Sequence, residues 1–293
     1  EHTLANMAVP GREVDLSTLA RHLVQHGPHK TLHTERRVRI LINGACIADT
    51  LGTKGALFVW EHPYYPQLYF PKTALVEHVQ GYDITYEDHQ DVKDTHGQII
   101  AKTLKVKVTR NSDNNMEEVK DGFMVFSNDL PGKASPLSNM LKVHFSAADQ
   151  WLEEDTPIFV HPKDPFKRID ILHSTRGIKV SLKGATIAES DSCMQLYETG
   201  LPVRYYIPLT AINNALLRPS KTTTQCPYKG EAEYYDVVVD GETHKDIVWF
   251  YTRPTLECAT IAGLCCFYNE KVDMMIKNGN EWQKLDRANS IFS

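Results

Sequence analysis

Between Thr224 and Gly230 the chain reads Thr-Gln-Cys-Pro-Tyr-Lys-Gly, which sets a thiol, a phenol and an amine within four residues. Pro227 fixes its own φ and Gly230 permits unusual backbone, so this is a shaped loop. Lys229 in such a loop suits the binding of a carboxylate or enolate. It becomes a base if burial lowers its pKa. Tyr228 stands beside it, and Cys226 is a nucleophile only where a neighbouring cation activates the thiol. The same residues also fit a rigid turn with the thiol packed inside and the lysine in solvent.

A second group is Glu198, Arg204 and Tyr206. Residues 204 and 206 share one face of a strand, where an Arg and a Tyr would hold a carboxylate or phenolate oxygen and Glu198 would move a proton. The alternative is a salt bridge between Glu198 and Arg204 across the Thr199-Gly200 turn. A third group is aromatic: Trp60, Tyr234, Tyr235, Trp249, Tyr251 and Tyr268. Such rings make walls for a flat ligand, and equally make ordinary sheet core. Histidines form the fourth. His62, His144 and His161 lie in or near the first half of the chain, and imidazole is the usual proton carrier near neutral pH; His161 is the catalytic candidate. No Cys-x-x-Cys, no zinc-finger spacing and no Gly-x-Ser-x-Gly elbow occurs, so neither a metal site nor a serine triad is expected.

These residues are positioned by a repeated unit. Val38–Thr50 aligns without a gap on Ile178–Ser190, each reading strand, turn, strand, with Asn43-Gly44 and Lys183-Gly184 as the hairpin turns. Trp60-Glu61-His62 matches Tyr197-Glu198-Thr199, and Tyr69-Phe70-Pro71 matches Tyr206-Ile207-Pro208. Glu61 repeats Glu198, as an acid that serves the fold in both copies would. The expected boundaries are an N-terminal extension over 1–35, a divergent first repeat over 36–156, a proline-rich extended connector over 157–170, and a second repeat over 171–293. Asp15 to His26 has helical spacing, with Asp15 or Ser17 as N-cap. Tyr82 to Gln98 is polar and reads as a loop. Short helices are expected at Thr73–Val79 and Thr210–Leu217. The class is mainly β (α+β): two similar curved β-sheet domains with short helices in a pseudo-symmetric internal repeat.

With a formal charge of −5, the chain is a poor partner for nucleic acid. No apolar run has the roughly 20 residues that span a bilayer. The first residues show no basic segment ahead of an apolar one, so no signal peptide is expected. Six cysteines without disulfide spacing suit a reducing compartment, and the expected location is cytoplasmic.

The second repeat carries a resemblance in order and spacing: Gly184 to Ser190, Glu198-Thr199-Gly200-Leu201-Pro202-Val203-Arg204, Cys226-Pro227-Tyr228-Lys229-Gly230, Trp249-Phe250-Tyr251, and Phe267 to Asp273. It resembles the double-domain members of the family catalogued as domain of unknown function 427. The first repeat keeps the opening hairpin, Trp60-Glu61 and Tyr69-Phe70-Pro71 but has no Cys-Pro-Tyr-Lys-Gly block. The family has carried a nucleotidyltransferase label, yet no Gly-rich phosphate loop stands in the sequence. The resemblance implies small-molecule, natural-product-like chemistry. The function expected is an enzyme without nucleotide or redox cofactor, acting on a small molecule by acid/base steps such as isomerisation, cyclisation or elimination. The alternative is a binding or scaffold protein with the same pocket and no turnover. The oligomeric state is left open.

Overall fold

A computed structural model describes residues 13–285. The first twelve residues of the expected extension and the last eight of the second repeat lie outside the described residues. The chain divides into two compact units, the first ending at Asp164 and the second beginning at Pro165.

Both units are built alike. Each opposes a seven-stranded antiparallel sheet to a four-stranded one. In the first unit the large sheet runs Lys30–Thr34, Ala56–Trp60, Gln67–Pro71, Met140–Val143, Asn115–Phe126, Ile99–Arg110, Tyr82–Lys93. In the second it runs Ile169–Ser174, Cys193–Glu198, Arg204–Pro208, Leu264–Phe267, Glu242–Phe250, Gly230–Val239, Leu217–Cys226. The chain order of strands is the same in both, so the repeat in sequence is a repeat in fold.

The repeated hairpins show why the sequences align. Asn43 and Gly44 have φ of 52° and 82°, and Lys183 and Gly184 have the same pair of values. Two successive left-handed residues make the two-residue turn whose twist matches the flanking strands. Glycine takes this conformation without cost, asparagine with little, and lysine with more. Alternating residues of Val38–Ile42 and Ile178–Leu182 then point inward to one core in each unit.

The large sheets have a second face, and here the units differ. In the first, helix Leu16–His26 lies on that face and buries Leu16, Leu19, Ala20 and Leu23 against Leu57, Tyr69, Met124 and Phe126. Asp15 caps the helix by accepting the Thr18 N–H at 2.8 Å. In the second, the same face carries an aromatic cluster with Tyr206, Tyr234, Trp249 and Tyr251, beside the short turn Leu256–Ile261.

Two local expectations are corrected. Residues 82–93 are not a loop but a strand, paired with Ile99–Arg110 from Tyr82↔Arg110 to Lys93↔Ile99. It is the sheet's edge and mostly exposed, so its Asp and His residues sit in water while its backbone pairs. The short helices shrink to single 3-10 turns at Lys72–Ala74, Leu209–Ala211 and Asn214–Leu216. Thr156–Ile158, at the start of the proline-rich segment, closes a hairpin with Gln150–Glu153. No helix among the described residues is long and apolar enough to cross a membrane.

Candidate functional site

The Cys-Pro-Tyr-Lys-Gly block is the tip of a hairpin. Cys226 pairs with Gly230, and Pro227, Tyr228 and Lys229 turn the chain between them. Gly230 has φ of 100°, and a Cβ there would meet the Arg253 carbonyl oxygen at 3.2 Å. Thr255 ties the turn down: its N–H donates to the Lys229 carbonyl at 3.1 Å and its hydroxyl to the Tyr228 carbonyl. Lys229 therefore points into the protein. Its Nζ meets Glu198 Oε2 at 2.5 Å, while Lys167 Nζ meets Oε1 at 3.2 Å.

This geometry fixes protonation. Burial pushes the Glu198 carboxyl upward, but the Lys229 and Lys167 ammonium groups outweigh it and hold the pKa below the usual carboxylate range. Burial likewise opposes charge on Lys229, yet Cys226 and Glu198 outweigh that and raise its pKa. Lys229 is thus a held ammonium and Glu198 a doubly clamped carboxylate, and neither is poised to take a proton at neutral pH. Cys226 is a half-buried free thiol.

Arg204 does not reach Glu198. It forms a bidentate pair with Glu270, at 2.9 and 2.8 Å, and its guanidinium lies 5.4 Å from the Trp249 ring centre. The Trp249 indole N–H donates to the Tyr206 hydroxyl at 3.2 Å, and Tyr268 packs on Trp249 with ring centres 4.5 Å apart. Tyr251 shares this face. Tyr235 does not: it stacks on Phe250 on the opposite, core-facing side. Trp60 is built into the first core and donates its indole N–H to Asp164 at 3.3 Å.

One cavity of the first unit measures about 350 Å³ and is lined by Glu13, Glu61, His62, Tyr65, Lys142 and His144, among others. Glu61 follows the strand Ala56–Trp60 as Glu198 ends its own strand. Its cation comes from elsewhere, however. Lys142 lies opposite Tyr69 in the sheet, where Cys266 lies opposite Tyr206 in the second unit. Lys142 is 4% exposed and meets Glu61 at 2.7 Å, and the Tyr69 hydroxyl donates to the same carboxylate at 2.9 Å.

Two neutral imidazoles flank this pair. His62 is buried, and burial drops its pKa from 6.5 to about 4, with Lys142 adding to the fall. Its Nδ1 accepts the Tyr64 N–H at 3.3 Å, so its proton sits on Nε2. His144 is also held below its ordinary pKa by burial and by Lys142. Its Nε2 lies 3.1 Å from the Val14 carbonyl oxygen, which only accepts, so the proton is on Nε2 and Nδ1 keeps its lone pair. Tyr65 packs edge-on against His62 and stacks on His161 at 4.2 Å, which brings the predicted His161 to the aromatic side of this cavity. The His161 Nδ1 lies 2.8 Å from the Pro162 carbonyl. Among the described residues, no three His, Cys, Asp or Glu side chains converge as metal ligands.

Of the sequence candidates, Lys229 meets Glu198 and flanks Tyr228 in the second unit, and His161 joins His62 in the first. Lys142, Tyr65 and Glu13 escaped sequence reasoning. One signal was present: a lysine inside the apolar run Met140-Leu141-Lys142-Val143, whose four residues are all buried, marks a paired internal charge.

A paired fold of two seven-stranded and two four-stranded sheets, with the acid of each repeat neutralised by lysine, defines a two-repeat β protein. The family model described as domain of unknown function (DUF427) matches residues 30–154 and 170–278, and the chain belongs to that family as a double-domain member. Among curated proteins none matches the chain.

Proposed function

We propose that the first unit carries out acid/base chemistry on a small molecule bound in its cavity, without a nucleotide or redox cofactor. One observation supports this most: a single cavity presents two neutral histidines with opposite free functions. His144 offers a bare Nδ1 as base, and His62 offers an Nε2–H as donor. The Lys142–Glu61 pair beside them supplies a fixed dipole that favours developing negative charge near the ammonium. Isomerisation, cyclisation and elimination all need this set: a base, a donor and a preorganised charge. The Lys229 turn of the second unit becomes, in this reading, a structural clamp.

The test uses the whole protein in heavy water with the small-molecule extract of a source strain lacking it. Mass spectrometry follows conversion or carbon-bound deuterium. One metabolite is expected to change, and His144→Gln should slow that change by about 100-fold or more. If no metabolite changes and some are nevertheless retained by the protein, the cavity binds without turnover.

A further inference from the structure

The wall of the cavity nearest His144 comes from residues 13–19, ahead of the first family-matched segment, which begins at residue 30. Glu13 is fixed there by the Ser146 N–H at 3.2 Å and by the Ser146 hydroxyl, both donating to its carboxylate. Val14 holds the proton of His144 on Nε2. The bare Nδ1 of His144 then faces Glu13 Oε2 at 3.9 Å. These are two acceptors, too far apart to bond each other and close enough for one donor group to reach both.

Charge points the same way. Lys142 is cancelled by Glu61 at 2.7 Å, so Glu13 is the uncompensated charge among these three lining groups. The Tyr65 phenol responds to burial first and then to both Glu61 and Glu13, all raising its pKa, as a locally negative field requires. Beside it the rings of His62 and Tyr65 line the cavity, and His161 stacks on Tyr65.

Resting on the cavity being a ligand site, we infer that its ligand carries an aliphatic ammonium group on an aromatic or apolar body, with the ammonium N–H donors set between Glu13 and His144. Transfer of one ammonium proton to His144 Nδ1 leaves a free amine and an imidazolium, with charge conserved. That step turns the bound amine into a nucleophile. Glu13 is the specificity residue in this scheme, and a carboxylate ligand is rejected by it.

The experiment compares phenethylamine with hydrocinnamate, matched in size and opposite in charge. Each is titrated at neutral pH into the full chain with isotope-labelled histidine, and the His62 and His144 ring signals are assigned with His62→Gln and His144→Gln. The amine should shift the His144 signal saturably, and Glu13→Gln, which keeps an acceptor for Ser146, should weaken it about tenfold. Hydrocinnamate should shift neither signal. Equal or tighter binding of hydrocinnamate, or amine binding indifferent to Glu13→Gln, overturns the amine assignment and leaves the cavity as a site. If neither probe moves either histidine, the cavity itself fails as a ligand site.

Discussion

The two units place the same acid at the same strand end and neutralise it differently. In the first, Glu61 meets one lysine, delivered from two strands away across Gln67–Pro71 and buried beneath the helix-covered face. In the second, Glu198 meets two, one from the hairpin tip and one from the segment leading into the sheet. The hairpin tip explains the trade. Where the second unit has Pro227-Tyr228-Lys229, the first has Asp94 to Gln98, closed locally by Asp94 accepting the His96 and Gln98 N–H groups at 2.9 Å. With no lysine from that turn, the first unit supplies its cation from within the sheet. The lesson is that one scaffold can keep a buried carboxylate satisfied from either element.

The sharpest way to break this comparison is to remove the cation. Lys142→Met strands Glu61, and unpairing a buried charge costs roughly 3–5 kcal/mol. Lys229→Met leaves Lys167 on Glu198 and should cost less, roughly 1–2 kcal/mol. Denaturant-dependent hydrogen exchange, read separately in each unit, measures both. Equal costs would mean that Lys167 does not share the load. Glu61→Gln combined with Lys142→Met should recover most of the first loss.

Acid separates the units next. His62 is neutral when folded, with a pKa of about 4 against an ordinary 6.5. The unfolded chain binds the extra proton between those values, so stability falls as pH drops from 6.5 towards 4. The loss at the lower end is roughly 3 kcal/mol for this group. It should appear in the first unit and vanish in His62→Gln, as thermal unfolding at neutral and acid pH would show. A decline of the same size in the variant would remove His62 from the account.

The smallest effect concerns the hairpins. Lys183 is exposed and holds φ of 52° where its counterpart is Asn43. Lys183→Asn should stabilise the second unit by about 0.5 kcal/mol, because asparagine adopts this conformation more readily. A shift in the denaturation midpoint without a change in slope is the expected record.

The repeat was legible because turn geometry dictates residue type: Gly44 and Gly184 announce the same two-residue turn wherever they fall. The tip at Cys226 to Gly230 was legible for the same reason. The strand at Tyr82–Lys93 was not, since its apolar alternation covers only Tyr82, Ile84 and Tyr86 before the exposed run from Glu87 to Asp91 hides it. Ion pairs were the weakest inference. Glu198 and Arg204 are near in sequence and suggest a pair, but the sheet puts Arg204 beside Glu270 and brings Lys229 across to Glu198. The first unit's cavity was half visible, in its histidines. Lys142 and Glu13 come from distant segments that only the folded sheet and the helix-bearing N-terminal arm bring together.

On the function proposed above, the first unit does the chemistry and the Lys229 turn of the second is a structural clamp. An untargeted metabolite comparison sets the source strain beside three others: a deletion, His144→Gln and Lys229→Met, at matched protein levels. The account predicts that the deletion and His144→Gln accumulate the same compound while Lys229→Met resembles the parent. Accumulation in Lys229→Met with a normal His144→Gln profile would contradict it and move the chemistry to the second unit.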